Sequence, residues 1–293
     1  DLALAEVLPE TRVGKAAIDL ITTVETLAPG RGYYAAMSEA TRALRQLRSL
    51  HSRQRRFVAD ALHHVVRLLR RLRALAAVGE TSGKRTSATM LYVLWLFEKF
   101  VPIGAEPSAA LAALLSRFQL DAVTVQDLRD RLAATLTQIA AASDPSPLSP
   151  DEVVTALGEG LSYPAWLVRA FLDSFGWDPA GCATTLRILS VQNERAPLTV
   201  RVNRLLATPD QAAARLAEAG LTARRAPMAT AGLYLEGHAN VYATAPFADG
   251  WIELQDEGSQ LIADVCAPPP GGVIVDACAG AGGKTLALGA LLE

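Results

Sequence analysis

A short β-branched run followed by a loop of small residues stands near the end of this 293-residue sequence. Val273, Ile274 and Val275 lead to Asp276, and after a glycine-rich loop a helical pattern begins at Lys284. Strand, glycine loop and helix in this order form the opening unit of an open α/β sheet. Such a loop lets a ligand approach the backbone closely, because glycine has no side chain. The pattern therefore predicts a ligand-binding loop at the start of an α/β fold.

Four interpretations of the loop compete. Gly283-Lys284-Thr285 suggests a P-loop, but that motif needs a glycine where Cys278 stands. Gly280 and Gly282 fit the first two glycines of a dinucleotide fingerprint, but Thr285 takes the place of the third. An acid at the strand end followed by Gly-x-Gly is typical of an S-adenosylmethionine-dependent methyltransferase, and this motif fits best. A tight turn without a ligand is the remaining alternative.

The wider context of the loop resembles one family. Residues 251–260 read Trp-Ile-Glu-Leu-Gln-Asp-Glu-Gly-Ser-Gln, and the loop reads Asp-x-Cys-x-Gly-x-Gly-Gly-Lys-Thr. Together they resemble the RNA cytosine-C5 methyltransferases of the Nol1/Nop2/Sun family, in particular its bacterial 16S ribosomal RNA branch, Sun or Fmu. The usual family loop is Cys-Ala-Ala-Pro-Gly-Gly-Lys-Thr, and here Gly280-Ala281 replace Ala-Pro. The resemblance covers residues 160–293 well and residues 1–150 loosely.

The resemblance implies S-adenosyl-L-methionine as cofactor. The residues that it places at the cofactor are Cys278, Ala279, Gly280, Ala281, Gly282, Gly283 and Lys284. In the family the two working cysteines belong to a Pro-Cys and a Thr-Cys motif, and one of them adds to C6 of cytosine so that C5 can attack the methyl group. Neither dipeptide occurs in this sequence, and the family's cysteine at the position of Cys278 is not the nucleophile. We therefore expect no catalytic residue here and no activity from this chain alone, which reads as an incomplete portion of its enzyme. The alternatives are an RNA-binding module without catalysis and a nucleotide-binding, P-loop-like protein.

Charge is distributed unevenly along the sequence. Residues 1–142 carry 19 basic and 13 acidic side chains, whereas residues 143–293 carry 9 and 17. Ten arginines crowd residues 42–73 around an apolar stripe with helical spacing, which runs from Val58 to Leu72. One interpretation is an RNA-binding face that includes Arg53, Arg55 and Arg56, since arginines neutralise phosphates. The other is a solvated helix surface. The family resemblance favours the first, because many bacterial members carry an N-terminal, NusB-like helical domain that binds RNA.

The sequence predicts a multidomain chain. Residues 1–142 form an all-helical, NusB-like bundle, and residues 143–151, with three prolines, form a linker. Residues 152–269 are helical at first and then a small α+β module, and residues 270–293 open a Rossmann-like methyltransferase core. The module has a strand near 198–202, a helix from Thr208-Pro209 to a stop at Gly220, and a strand at 233–235.

Arg201 and Asn203, at the end of the first strand of the module, match an Arg-x-Asn element of the family. The functional interpretation is contact with RNA or with the adjoining core. The alternative is a strand-end turn in which Asn203 bonds local backbone.

Other classes of protein are not indicated. No apolar run approaches the roughly 18 residues of a membrane span, and we see no secretory signal. Cys182, Cys266 and Cys278 are too few and too scattered for a disulfide framework or a zinc site. His51, His63 and His64 lack ligand partners at suitable spacing, so no metal is predicted. We expect a cytoplasmic monomer whose partner is RNA, most simply ribosomal RNA.

Overall fold

A computed structural model describes residues 2–77, 86–141, 148–236 and 240–292. The chain divides into two compact units, Asp1–Glu194 and Arg195–Glu293. This division differs from the boundary expected at 143–151, of which residues 143–147 lie outside the described part. Helices on the two sides of that segment pack against each other within the first unit. The functional domains assigned from the sequence stay a prediction.

The first unit is helical throughout its described residues, as predicted for 1–142 and 152–196. Its helices are α1 Leu4–Val7, α2 Arg12–Arg31, α3 Tyr33–Gln46, α4 Ser52–Arg67, α5 Leu69–Ala77, α6 Ala88–Phe100, α7 Ala109–Ser116, α8 Ala122–Ala140, α9 Pro150–Gly160, α10 Ala165–Phe175 and α11 Pro179–Asn193. Side-chain caps set several of the starts: Ser87, Ser108 and Asp121 each accept a backbone N–H of the first turn.

Helix α6 forms the centre of the first core. Its residues 90–97 are all buried, because α2, α4 and α5 surround it. The Tyr92 hydroxyl donates a hydrogen bond of 2.6 Å to the Val7 carbonyl, so the one polar atom of this ring is satisfied. Burial raises the pKa of Tyr92 well above its ordinary value. A second cluster in the same unit joins α8, α9, α10 and α11 around Leu157, Leu172 and Leu189.

The apolar stripe from Val58 to Leu72 is buried as predicted, but it does not lie on one continuous helix. The chain turns at Leu68, so α4 and α5 are separate helices. The Arg70 amide donates to the Ser162 hydroxyl at 2.9 Å instead of continuing the ladder from α4. A side chain 92 residues away in sequence thus takes the place of a helical hydrogen bond.

The second unit contains a four-stranded antiparallel sheet. Its elements are β1 Leu198–Val202, α12 Pro209–Glu218, β2 Ala223–Arg225, β3 Gly232–Leu235, a 3-10 turn Val241–Ala243, α13 Ala245–Ala248, β4 Ile252–Leu254, α14 Glu257–Cys266 and α15 Gly283–Gly289. The strand order is β2-β3-β1-β4. The predicted strands near 198–202 and 233–235 are confirmed. The cap at Thr208, which pairs with Gln211 in a capping box, is confirmed as well, and so is the stop at Gly220, whose φ is +77°.

The predicted strand at 273–275 is wrong. These residues form no ladder with any described strand, and the Val273 side chain is 94% exposed. A parallel strand needs neighbours that supply its hydrogen bonds and cover its faces, and the described residues supply none at this place. The loop and the helix that follow are present, with α15 beginning at Gly283.

Candidate functional site

Arg201 lies in the middle of the sheet. Its strand β1 runs between β3 and β4, with Gly232 opposite it on one side and Glu253 on the other. The Arg201 side chain is only 7% exposed, and its Nε donates a hydrogen bond of 2.6 Å to Oε1 of Gln255. Burial lowers the pKa of Arg201, although the nearby charge of Glu253 acts in the opposite direction. A buried guanidinium at this place is tied to the segment that follows β4.

Gln255 connects this arginine to the glycine loop. A Cβ atom added at Gly283, the first residue of α15, would stand 3.8 Å from Nε2 of Gln255. The backbone carbonyl of Gln255 accepts a hydrogen bond of 3.0 Å from Nε2 of Gln260. Arg201, Gln255 and the start of α15 therefore lie next to one another inside the second unit.

A small cavity adjoins these contacts. It has a volume of about 20 Å³ and is lined by Arg201, Gln260, Asp264 and Ala287, among others. Gln260 is 2% exposed, and its Oε1 has no hydrogen-bond partner within the described residues. The cavity has room for one water molecule, which would satisfy that oxygen, but not for a cofactor.

Glu257 fixes the turn before β3. Its Oε1 accepts the amide hydrogens of Met228 at 2.7 Å and Ala229 at 2.9 Å, and its Oε2 accepts the Tyr234 hydroxyl. Burial alone would raise the pKa of Glu257, but the hydrogen bonds from Tyr234, Ala229 and Met228 outweigh it and lower the pKa. Sequence reasoning assigned no role to Gln255, Glu257 or Gln260, although all three stand in the 251–260 segment that carries the family resemblance.

Asp276 organises the glycine loop. Its Oδ1 accepts the Cys278 amide hydrogen at 3.1 Å, and its Oδ2 accepts the Thr285 hydroxyl at 2.7 Å. One carboxylate thus ties the beginning of the loop to the first turn of α15. This explains why the acid stands at that position, although the strand predicted before it is not formed.

The loop backbone takes conformations that favour glycine. Gly280 and Gly282 have φ of +55° and +86°, in the left-handed region. The Gly282 amide donates to the Ala279 carbonyl at 2.9 Å, which closes the turn. Cys278, Ala279 and Ala281 are exposed, whereas Gly283 and Lys284 are half-buried. The structure therefore brings all seven residues predicted at the cofactor into one accessible turn.

Asn203 takes part in a strand-end turn. Its Oδ1 accepts the Leu205 amide hydrogen at 3.2 Å, and its Nδ2 donates to the Gly250 carbonyl at 3.1 Å. The bond from Leu205 is the local backbone bond of the second interpretation, whereas Gly250 lies 47 residues away in sequence. For Arg201, the bond to Gln255 points toward the loop rather than to an open surface. Contact of either residue with RNA stays a prediction.

Arg53, Arg55 and Arg56 lie in the first two turns of α4. Arg53 and Arg56 are exposed and Arg55 is half-buried. Within the described part of the chain none of the three side chains forms a hydrogen bond or an ion pair. His51 precedes them and caps the helix, because its Nδ1 accepts the Gln54 amide hydrogen at 3.4 Å. The described residues contain no group of three or more side chains that could hold a metal ion, and none of their helices is both long and apolar enough to cross a membrane.

Comparison with known proteins agrees with this topology. Residues 163–242 match the family described as the RsmF/B-like methyltransferase ferredoxin-like domain. In the second unit, strands and helices follow the order β1-α12-β2-β3-α13-β4 with β1 and β3 central, which is the order of a ferredoxin-like sheet. A crystal structure of the protein PH0851 aligns with 95% of this chain and 61% of its own, with a TM-score of 0.56 and 19% identity, which shows a shared fold.

Two curated proteins are similar to this chain in sequence. A probable ribosomal RNA small subunit methyltransferase B of Synechocystis is 33% identical over 143 residues, 48% of this chain and 31% of the relative. The ribosomal RNA small subunit methyltransferase B of Pseudomonas putida is 37% identical over 124 residues, 42% of this chain and 27% of the relative. The matched part thus spans about a third or less of these relatives. The matching domain family and both relatives are methyltransferases by name. The resemblance to the Sun branch of the Nol1/Nop2/Sun family is confirmed.

Proposed function

We propose that this chain carries the RNA-recruiting part and the first part of the cofactor site of an S-adenosylmethionine-dependent enzyme that methylates C5 of a cytosine in 16S ribosomal RNA. The observation that carries the proposal is the turn from Cys278 to Lys284, held by Asp276 and contacted by Gln255. Both sequence elements of the resemblance, 251–260 and the loop, meet at this turn. The two curated relatives support the substrate class, since both are ribosomal RNA methyltransferases by name.

The loop fits one end of the cofactor. A Cβ atom added at Gly282 would meet nothing within 4 Å, so the space beside this glycine is open to a ligand. The exposed backbone from Cys278 to Ala281 supplies N–H and C=O groups, and Lys284 supplies a positive charge suited to a carboxylate. When bound, S-adenosylmethionine supplies an electrophilic methyl group on its sulfonium. The residues of this chain would hold and orient that molecule by its amino-acid end, which is the role we assign to the turn.

The chemical step needs a nucleophile that this sequence does not supply. Methyl transfer to C5 requires a thiolate aimed at C6 of a cytosine removed from its stack. The 293 residues contain neither the Pro-Cys nor the Thr-Cys dipeptide that serves in the family. Cys278 is exposed in the cofactor turn, and we assign it to that turn and not to catalysis. The chain alone is therefore proposed to be inactive.

Residues 1–142 of the first, helical unit are proposed to be the NusB-like, RNA-binding domain, and residues 270–293 the beginning of a Rossmann-like core. The exposed arginines at the start of α4, which have no partner in the described residues, support the first assignment. RNA phosphates would be their natural counterions. The order of acid, glycine turn and helix supports the second.

Calorimetry with the complete protein that carries this chain tests the proposal. We expect binding of S-adenosylhomocysteine and no binding of ATP. The test variant is Asp276→Asn, which keeps the size of the side chain and removes its charge. The matched control is Asp173→Asn, the same substitution at an exposed acid of α10. Asp276→Asn should weaken S-adenosylhomocysteine binding and Asp173→Asn should not. Tight ATP binding without S-adenosylhomocysteine binding would replace the methyltransferase assignment with a nucleotide-binding one.

A further inference from the structure

A groove of about 830 Å³ lies in the helical unit, apart from the cofactor turn. It runs between α4 and α5 on one side and α9 with the turn before α10 on the other. The lining residues that matter for its chemistry are Tyr33, Arg67, Arg70, Arg73, Glu159 and Tyr163. Its volume lies in the range of sites that hold a small ligand or a nucleotide.

The groove has an excess of positive charge. Arg70 is exposed, and its guanidinium forms no hydrogen bond or ion pair within the described residues. Arg67 donates from Nη1 to the Asn193 carbonyl at 2.7 Å and meets no carboxylate there. Arg73 is neutralised by Glu25 at 2.6 Å, and Glu159 is the one acid among the described lining residues. Two arginines therefore keep donors free for an anion.

The aromatic ring of Tyr33, at the start of α3, also lines the groove. Tyr33 is 44% exposed although it begins α3 and faces a groove. Its hydroxyl reaches Oε1 of Glu25 only at 3.4 Å. An exposed ring in one groove with arginines that keep donors free is the combination that binds single-stranded nucleic acid, because bases stack on the ring while arginines hold the phosphates.

The walls of the groove are joined by hydrogen bonds. The Arg70 amide donates to Oγ of Ser162 at 2.9 Å, and Nη1 of Arg71 donates to the Gly160 carbonyl at 2.8 Å. Nε of Arg71 also contacts Glu98 at 2.6 Å in a half-buried ion pair. Ser162 has φ of +67°, a left-handed conformation that costs free energy in a residue other than glycine. These bonds hold α5 beside the end of α9, so the groove is formed before a ligand arrives.

We propose that this groove binds a short single-stranded segment of RNA, with its phosphates at Arg67 and Arg70 and one base stacked on Tyr33. The proposal rests on the RNA-recruiting role proposed above and gives that role a site distinct from Arg53, Arg55 and Arg56. A paired duplex cannot offer a base face to Tyr33, so the groove should prefer single strands.

A second groove of the same unit supplies a control. It measures about 490 Å³ and is lined by Arg31, Glu39, Leu27 and three threonines. One arginine and one acid line it, and no aromatic ring does. Arg31→Ala therefore removes the same charge from the chain as Arg70→Ala without touching the proposed site.

Fluorescence anisotropy with the 293-residue chain tests the inference. The probes are a ten-nucleotide oligouridine and an RNA duplex of the same length, each titrated at several salt concentrations. Tyr33→Ala should weaken binding of oligouridine about tenfold, whereas Tyr33→Phe, which keeps the ring, should stay within about twofold. Arg70→Ala should lower the salt slope by about 0.7, the amount expected for one phosphate contact on a single strand, and Arg31→Ala should leave it unchanged. Circular dichroism confirms that each variant is folded.

The outcomes separate this inference from the proposed function. If the chain binds oligouridine but Tyr33→Ala and Arg70→Ala behave like Arg31→Ala, the groove is not the site, and the proposed methyltransferase role is untouched. Equal binding of duplex and single strand would also overturn the groove. If the chain binds neither probe, the recruiting role of the helical unit fails together with the groove. Binding of S-adenosylhomocysteine by the complete protein depends on neither result.

Discussion

The hydrogen bond between Arg201 and Gln255 gives a prediction that can be worked out from the structure. The guanidinium of Arg201 is buried in the sheet, and its Nε has the side-chain oxygen of Gln255 as acceptor at 2.6 Å. A hydrogen bond to a charged group contributes about 1.5–3 kcal/mol, and most of that is lost when one partner is removed and the other stays buried. Gln255→Met removes the acceptor at similar size. We therefore expect it to lower the free energy of opening of the sheet by about 2 kcal/mol.

The partner substitution completes a double-mutant cycle. Arg201→Met removes the charge and leaves the oxygen of Gln255 without its donor, which should cost about 1–2 kcal/mol. The double variant carries apolar side chains of similar length at both positions, and such a replacement is often nearly neutral. We expect the double variant to be more stable than the sum of the single effects by at least about 1 kcal/mol. Glu253→Gln is the control: this exposed charge faces Arg201 across the sheet, and its loss should change stability by less than about 0.5 kcal/mol.

Hydrogen exchange of β1, measured by mass spectrometry, is the suitable assay. The chain has two compact units, so a global unfolding curve need not be two-state, whereas exchange reports the opening of one strand. A loss of about 2 kcal/mol appears as exchange about 30-fold faster in residues 198–202, since 1.4 kcal/mol corresponds to a factor of ten. Additive single effects, with a coupling below about 0.5 kcal/mol, would refute the idea that the bond holds the sheet to the segment before α14.

Three further predictions concern other parts of the chain. Replacing Arg53, Arg55 and Arg56 together with alanine should lower the salt slope of RNA binding by about 2, and an unchanged slope in a titration would identify a solvated or protein-docking face. The purified 293-residue chain should transfer no tritiated methyl group from S-adenosylmethionine to unmodified small-subunit ribosomal RNA; stoichiometric incorporation that Cys278→Ala abolishes would contradict this. The pKa of Glu257 is lowered in the fold, so its contribution to stability is present above its unfolded pKa of about 4.3 and is lost as pH falls through the folded value. Glu257→Gln should flatten the loss of stability in that acidic range, and an acid-unfolding curve identical to that of the wild type would exclude the effect.

Several helix boundaries could be predicted from the sequence, because the signals for them act over a few residues. Thr208, Pro209 and Gln211 are an N-cap, a first-turn proline and a capping-box partner, and each acts within three residues of its own position. The caps at Ser87, Ser108 and Asp121 likewise act within three residues of their own positions. Such signals need no knowledge of the rest of the chain, and the structure has these elements where the sequence places them.

Contacts between distant segments could not be predicted in this way. The break between α4 and α5 depends on Ser162, and nothing near Leu68 marks it. Apolar and polar residues alternate along β1, which suggested a strand with one polar, half-exposed face that includes Arg201. Arg201 is nevertheless buried, because α14 packs against that strand. The strand expected at 273–275 failed for a related reason: the β-branched residues have the propensity, but pairing requires a partner that local sequence does not specify.

The arginines of the helical unit show why composition alone is weak evidence for RNA binding. Several basic residues of this unit are bonded within the protein. Arg71 and Arg73 pair with acids, Arg67 donates to a backbone carbonyl, and buried Arg129 donates to the carbonyls of Val101 and Pro102.

Such side chains are bonded to the protein itself, and a count of basic residues cannot separate them from exposed arginines that form no ion pair. Arg53, Arg56 and Arg70 are exposed and form no ion pair in the described structure, and charge without a counterion inside the protein is the charge that a polyanion can neutralise. RNA binding is therefore expected where arginines lack partners inside the protein, and the groove that contains Arg70 and Tyr33 is the place where unpaired charge and an open aromatic ring coincide.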